Sequence, residues 1–245
     1  MKVLEIGGCS VPIKVANELM GAEKWVSVDL LNFTGGTYQF KNCEPYFKGR
    51  EIFKVHEEID WASNNIIIDG DALEFVRLHQ LEQFDVIFSV NCFEHFPRLP
   101  DFLRHSVNVL KRGGLLFTQF GPIWSCCVGS HLRVNEELDF ALEGLIDEHQ
   151  HLLYGRKEMF EYLHAKGFSR DLCEIALYQI YNSVEINRFS YDDYEYFFNN
   201  SGYSKVEIKK SFSVPVVAER LALLGDRCPT ITDFETYELT VVCEL

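Results

Sequence analysis

The chain has 245 residues, 47% hydrophobic and 24% charged, a globular balance with room for one large domain or a core with an insert. Its formal net charge of −14, with no run of Lys and Arg, argues against a nucleic-acid backbone as partner. No apolar stretch approaches the roughly 20 residues that span a bilayer, and the N-terminal one is short and broken by Glu5, so neither a membrane span nor a signal peptide is expected.

The first element is the run Val3-Leu4-Glu5-Ile6, a buried strand that enters Gly7-Gly8; Pro12 then suits the first turn of a helix. Trp25–Val28 reads as a second strand ending at Asp29, and Ile66–Ile68 as a third ending at Asp69-Gly70-Asp71-Ala72. Phe84–Val90 is a fourth, followed by Asn91-Cys92-Phe93-Glu94-His95. Gly114–Thr118 is a fifth, entered through Lys111-Arg112-Gly113-Gly114, which has the character of a helix stop. Helical patterns cover residues 12 to 20, 71 to 80 and 100 to 111, so strands and helices alternate as βαβ units of a parallel sheet do.

Two connections exceed a minimal unit. Residues 30 to 65 read as an ordered excursion, and residues 120 to 187 as a larger insertion. In the latter, Glu158 to His164 suggests a helix, and Leu172, Ile175, Ala176, Gln179 and Ile180 fall on one helical stripe. Tyr191 to Asn200 is helix-like, Val206–Lys209 alternates as a strand does, and Leu239–Cys243 makes a last strand. The expected division is a core at 1–120, a mostly helical substrate-side insert at 121–187, and a return to the core sheet at 188–245. The aromatic residues Tyr178, Tyr181, Tyr191, Tyr194, Tyr196, Phe197 and Phe198 are expected to pack the insert on the core.

Asp29 lies 22 residues beyond Gly7, at a strand end, where a carboxylate accepts both hydroxyls of a ribose. Dinucleotide dehydrogenases and methyltransferases share that spacing. A dehydrogenase lays a pyrophosphate on G-x-G-x-x-G, whereas this turn is Gly7-Gly8-Cys9-Ser10-Val11-Pro12 and lacks the later glycines. Asp71 has two readings, as a polar contact for an adenine and as the cap of the following helix.

With these residues in order, the chain resembles the class I S-adenosylmethionine-dependent methyltransferases. The carriers are Val3-Leu-Glu5-Ile-Gly7-Gly8, Asp29, Gly70-Asp71-Ala72, the stretch Phe84 to His95, and Leu110 to Phe117. The resemblance implies a doubly wound α/β fold, a mostly parallel seven-stranded sheet with an antiparallel last strand. It implies S-adenosylmethionine as cofactor, with Glu5, Gly7 and Gly8 at its methionine end and Asp29 on the ribose. Asp71 and Ala72 would meet the adenine, and Asn91 would lie near the sulfonium. Two departures stand out: Cys9 replaces a further glycine, and no leading helices precede the first strand, so inserts or a partner subunit would cover part of the sheet.

Transfer to an alcohol, phenol or amine needs a base; a carboxylate or thiolate needs mainly alignment. His95, beyond the fourth strand, and His131, closing the loop Gly121–His131, are the candidate bases. Their alternatives are a surface or capping histidine and a loop histidine bonded to backbone. His149 and His151 beside Asp147 and Glu148 have the side chains of a metal site but no third ligand at matching spacing, so a solvated polar turn and no metal are expected. Eight cysteines without paired spacing point to a reduced, cytoplasmic protein. The expected activity is O-methylation of a small hydroxylated acceptor such as a sugar; a nicotinamide-dependent oxidoreductase and a non-catalytic binding subunit are the alternatives. A small-molecule acceptor is the expected partner, with neither nucleic acid nor membrane, and a homo-oligomer is allowed.

Overall fold

A computed structural model describes residues 1–7, 11–31, 48–135, 138–139 and 146–245. Strand β1 (Lys2–Ile6) lies at the centre of an eight-stranded sheet. The chain first builds outward on one side, through α1 (Ile13–Glu18), β2 (Lys24–Asp29), β3 (Glu51–Lys54) and β4 (Asn65–Asp69). After α2 (Ala72–Leu78) it crosses to the other side of β1 and lays down β5 (Phe84–Val90), α3 (Leu99–Ser106) and β6 (Leu110–Phe120). The strand order is β3-β4-β2-β1-β5-β6-β10-β9, where β9 is Lys205–Ser213 and β10 is Thr236–Glu244. Strand β10 runs antiparallel to both neighbours, with Val241 opposite Thr118 on one side and Ile208 on the other. Because β1 pairs with β2 and β5 in parallel, the chain reverses its direction of winding between β1 and β5. A crevice opens at the carboxyl ends of two such strands, where ligands of doubly wound sheets bind.

The sheet has eight strands where seven were expected. The extra one, β3, falls within the excursion of residues 30 to 65 and pairs with β4 at the outer edge, Ile52 opposite Ile67. Its residues are mostly exposed, so it lacks the apolar run that marked the inner strands. The sequence Lys111–Gly114 is not a helix stop. Helix α3 ends at Ser106, a single 3₁₀ turn spans Val107–Val109, and β6 starts at Leu110, with a register irregularity between its pairings to Phe84 and Val86. The two glycines occupy that irregularity within the strand.

One sheet face carries Leu4, Ile6, Val26, Val28, Ile66, Ile68, Ile87 and Leu116 against Phe75 and Val76 of α2 and Leu99, Phe102 and Leu103 of α3. Helix α7 (Tyr191–Asn199) adds Tyr194 and Phe198 to this core. Its start is set by Ser190 and Asp193, which form a capping box. On the opposite face, Ala16 of α1 packs on Val3 and Trp25.

A second core gathers Trp124, Leu132, Leu152, Met159, Leu163, Cys173, Ala176, Leu177 and Ile180 with Val216, Leu224 and Phe234. It joins α4 (Gln150–Leu153), α5 (Arg156–Ala165) and α6 (Arg170–Tyr181) to α8 (Ala218–Arg227); the short strands β7 (Arg133–Asn135) and β8 (Leu138–Asp139) pair beside them. The buried stripe of α6 is Cys173, Ala176, Leu177 and Ile180, displaced from the expected one, and Ile175 is 52% exposed. Of the aromatic stretch, Tyr194 and Phe198 enter the main core, whereas Tyr178 and Tyr196 face solvent.

Candidate cofactor and acceptor site

The crevice begins with a carboxylate that the protein uses internally. Glu5 on β1 is fully buried; its Oε2 accepts from Trp25 Nε1 at 2.9 Å and from the Ser27 hydroxyl, both on β2. Its Oε1 accepts the backbone N–H of Val11 at 3.2 Å, beyond the glycine turn. Three donors therefore offset the burial of this group and tie the far end of the turn to the sheet. Gly8, Cys9 and Ser10 lie outside the described residues.

Gly7 has φ +73°, in the left-handed region that favours glycine, and donates its N–H to Val28 O at 3.1 Å. A Cβ here would stand 2.6 Å from both Cβ and Sγ of Cys92. The space beside Gly7 is thus filled by the first turn after β5, and this contact seals the base of the crevice. Replacing Gly7 by Ala is expected to cost about 1–2 kcal/mol for the left-handed conformation, with the clash added. Thermal denaturation should show a lower Tm that Cys92→Gly partly restores and Cys92→Ala does not, since the Cβ itself collides.

On the β2 side stand three aspartates. Asp29 Oδ1 accepts Leu30 N–H at 2.7 Å, and its backbone oxygen holds Gly70 N–H at 2.9 Å. Burial pushes the Asp29 carboxyl up to about 6, opposed by the Leu30 hydrogen bond and assisted by the charges of Glu5 and Asp69. Asp69 is taken by Lys54 and by Leu31 N–H at 3.0 Å. Asp71 caps α2, accepting Glu74 N–H at 2.9 Å, and Ala72 behind it is buried. Asp29 Oδ2 and Asp71 Oδ2 take no hydrogen bond among the described residues, whereas both oxygens of Asp69 are committed.

Beyond β5 the chain bends at Asn91, whose φ is +49° and whose N–H bonds Gln119 O at 2.9 Å; its side chain is exposed at the crevice mouth. Burial, with the anions of Glu94, Asp29 and Glu5, pushes the Cys92 thiol far up, so it packs as an apolar group. A 3₁₀ turn, Phe93–His95, follows. It is clamped from residues about 90 positions away. Asn187 donates Nδ2 to Phe93 O at 2.6 Å and its backbone N–H to Glu94 O at 2.9 Å, and Tyr194 donates its hydroxyl to Asn187 Oδ1 at 2.8 Å.

Within this turn, His95 Nδ1 lies 2.5 Å from Glu185 O. A carbonyl oxygen only accepts, so Nδ1 carries the hydrogen and Nε2 of the neutral ring keeps its lone pair. The side chain is 39% exposed. His131 comes beside it, ring centroids 5.2 Å apart and 30° between planes. The two candidate bases, 36 residues apart in sequence, therefore share one place. Burial lowers the pKa of both, and that of His131, next to His95 and His151, falls to about 3.

His149 and His151 do not form a solvated turn. Both are buried at the start of α4, with Nε2 of His149 2.9 Å from Phe234 O and Nε2 of His151 2.8 Å from Trp124 O. Burial holds both below the usual histidine range, His151 at about 4. His151 thereby ties α4 to the loop after β6, and His149 ties it to the segment ahead of β10. Among the described residues no group of three metal-type side chains comes together.

Residues 39–118, from ahead of β3 to within β6, match the sequence model of a methyltransferase domain family. Over those residues, about a third of the chain, it is similar to a methyltransferase domain, in line with the class I S-adenosylmethionine-dependent methyltransferases that its motifs resemble. That match supports the methyltransferase reading over the nicotinamide alternative. Solved structures similar to the whole chain include an S-adenosylmethionine-dependent methyltransferase from Archaeoglobus fulgidus (11% identity, TM-score 0.49, covering 100% of this chain and 86% of that one). Another comes from Mesorhizobium loti (13%, TM-score 0.49, covering 100% and 90%). A third, phosphoethanolamine N-methyltransferase 2 of Haemonchus contortus, has 11% identity and a TM-score of 0.45, covering 100% of this chain and 48% of that one. No curated protein matches the chain. Among the described residues no helix is long and apolar enough to cross a membrane.

The crevice offers donors and acceptors that suit S-adenosylmethionine. Asp29 presents a carboxylate oxygen at the end of β2 with no hydrogen bond among the described residues, and Asn91 exposes its side chain just beyond β5. The side chain of Glu5 is spent on the turn, so any part it takes in binding runs through the backbone it holds; Asp71 gives Oδ1 to the helix cap and keeps Oδ2. Asn187, which clamps the turn after β5, has no motif signature of its own, whereas Glu94 lies within the stretch Phe84 to His95 that carries the resemblance.

Proposed function

We propose that this methyltransferase acts at the oxygen of a small hydroxylated acceptor lying over the ends of β5 and β6, with His95 as the base. The observation that carries the reading is the imidazole whose Nδ1 is committed to Glu185 O, leaving the Nε2 lone pair at a part-exposed position. When bound, S-adenosylmethionine supplies a sulfonium methyl group; the acceptor oxygen's electron pair makes the new O–C bond as the S–C pair returns to sulfur. His95 takes the hydroxyl proton at Nε2. His131 lies beside it and orients the ring, and its pKa near 3 makes it a poor proton acceptor at neutral pH.

In this reading Asp29 holds the ribose, the Gly7-Gly8 turn lies under the methionine end, Ala72 and the backbone at Asp71 meet the adenine, and Asn91 faces the transferring group. Residues 1–120 and 188–245 form the cofactor-binding sheet, and residues 121–187 lie over the acceptor. The six described cysteines are free thiols, in keeping with a reducing, cytoplasmic setting. The test is incubation of the full chain with S-adenosylmethionine and a panel of sugars, alcohols, phenols and amines. Formation of S-adenosylhomocysteine together with a new O-methyl signal is expected. Product methylated at nitrogen or carbon instead overturns the acceptor class.

A further inference from the structure

The proposed transfer leaves one group at the mouth of β5 without a task. Glu94, in the same 3₁₀ turn as His95, has a side chain 2% exposed, and its Oε2 has no hydrogen-bond partner among the described residues. Its Oε1 stands 3.9 Å from His95 Nε2, too far for a hydrogen bond and near enough to close with a small movement. The turn that carries both residues is held from outside by Asn187 and by Glu185, so their mutual orientation is set by tertiary contacts.

We propose that Glu94 is the positioning residue of His95: its carboxyl faces Nε2 across a gap of 3.9 Å, and whether that carboxyl carries its proton governs how strongly the nitrogen takes up the acceptor's proton. The inference rests on the transfer reading above for its consequence, and on the geometry alone for the pairing of the two groups. Nδ1 is closed by Glu185 O, so Nε2 is the nitrogen that the Glu94 carboxyl faces. Burial raises the Glu94 carboxyl to about 8. The groups facing it include Glu238 of β10, which raises it further, and the amide of Gly121, which opposes. Cys92 lies beside it, and the hydroxyls of Tyr194 on α7 and Tyr237 on β10 feel its charge. His95 is faced by His131 and Glu185.

At neutral pH the pair is then a neutral acid beside a neutral imidazole. Above about pH 8 the acid loses its proton, and the remaining carboxylate makes Nε2 more basic, as an opposite charge within a few ångströms does for an imidazolium. The two groups titrate as a unit.

Histidine-ring ¹H–¹⁵N NMR of the full chain, with His95→Ala to assign the signal, tests this. The wild type is expected to show His95 as the Nδ1–H tautomer at pH 7, with its Nε2 resonance stepping near pH 8. Glu94→Gln, which keeps the shape, should retain the tautomer and lose the step. An Nε2–H tautomer in the wild type, readable even if the variant does not fold, overturns the proposal; so does a step that persists in Glu94→Gln. In turnover, the variant is expected to lose about tenfold in kcat at pH 9 with KM unchanged and little loss at pH 6.5. A merely structural role would lower both pH values alike. Failure of the transfer reading would appear separately, as no methylated product with the NMR step intact.

Discussion

His95→Ala is expected to lower kcat by about 10²–10⁴-fold, the usual loss on removing a general base, with the affinity for S-adenosylhomocysteine unchanged. The expectation rests on the asymmetry between two adjacent rings, tilted by 30°. His95 has its Nδ1 fixed and its Nε2 part-exposed; burial lowers its pKa, which keeps the ring unprotonated at neutral pH and ready to accept. His131 is driven to about 3, so its conjugate acid forms too reluctantly to store the acceptor's proton. His131→Ala is therefore expected to lower kcat by about tenfold or less, through the orientation of its neighbour, and to lower Tm. Steady-state kinetics at pH 7.5 decide between them. Equal losses in the two variants, or a larger loss in His131→Ala, would remove His95 from the role, and a non-catalytic protein would show no turnover to lose.

The parts of this molecule that were readable in advance are those where a local rule and the tertiary result agree. Strands β1, β2, β4 and β5 are covered on both faces, so their apolar runs stand out from the loops. Residues Val206–Lys209 of β9 alternate, and the run Leu239–Cys243 marks β10. Edge strand β3 escaped because its residues are exposed and carry no burial pattern. Helix α8 escaped because only Leu224 of its ten residues is buried. The error over His149 and His151 has the same root. Flanking Asp147 and Glu148 made the segment look solvated, but each imidazole is buried against a backbone carbonyl supplied from a distant element, Phe234 and Trp124.

The site divides in the same way. Asp29, Gly7 and Asn91 lie at strand ends whose order in the chain fixes their order in space; spacing marked Gly7 and Asp29, and the family resemblance added Asn91. That His95 and His131 meet at 5.2 Å depends on the return of the loop after β6, which no periodicity encodes. Asn187 and Glu185, which hold the His95 turn, reach it from some 90 residues downstream with no motif to mark them. A carboxylate such as Glu5 reads as a ligand contact in sequence, whereas its hydrogen bonds tie it to the turn; Asp71 forms the helix cap that one of its two readings expected.

Asp29→Ala should weaken S-adenosylhomocysteine binding by about 100-fold, roughly 2.7 kcal/mol, the expected worth of two charge-assisted hydrogen bonds to a ribose. The carboxyl is pushed up to about 6 before any ligand binds, because it is largely buried and faces the charges of Glu5 and Asp69. Accepting ribose hydroxyls favours its ionised form, so the ligand binds the deprotonated protein more tightly. Affinity is therefore expected to be level above pH 7 and to fall as pH drops through about 6, by up to tenfold per unit. Binding below that pH should release a proton, visible by titration calorimetry in buffers of different ionisation enthalpy. Asp29→Asn should remove this pH dependence. The sign for stability is opposite. A carboxyl whose folded pKa lies above its unfolded value of 3.8 is an ionised group the fold holds at a cost, so stability rises as pH falls from above 6 towards 4. By the same sign, Asp29→Ala and Asp29→Asn should keep or raise Tm at pH 7.5, and a loss of affinity there reports lost contact, not lost structure. Affinity unchanged in Asp29→Ala would mean that the ribose is held elsewhere; affinity lost together with a collapsed Tm would mean that Asp29 braces the β2–β4 rim through Leu30 and serves no ligand.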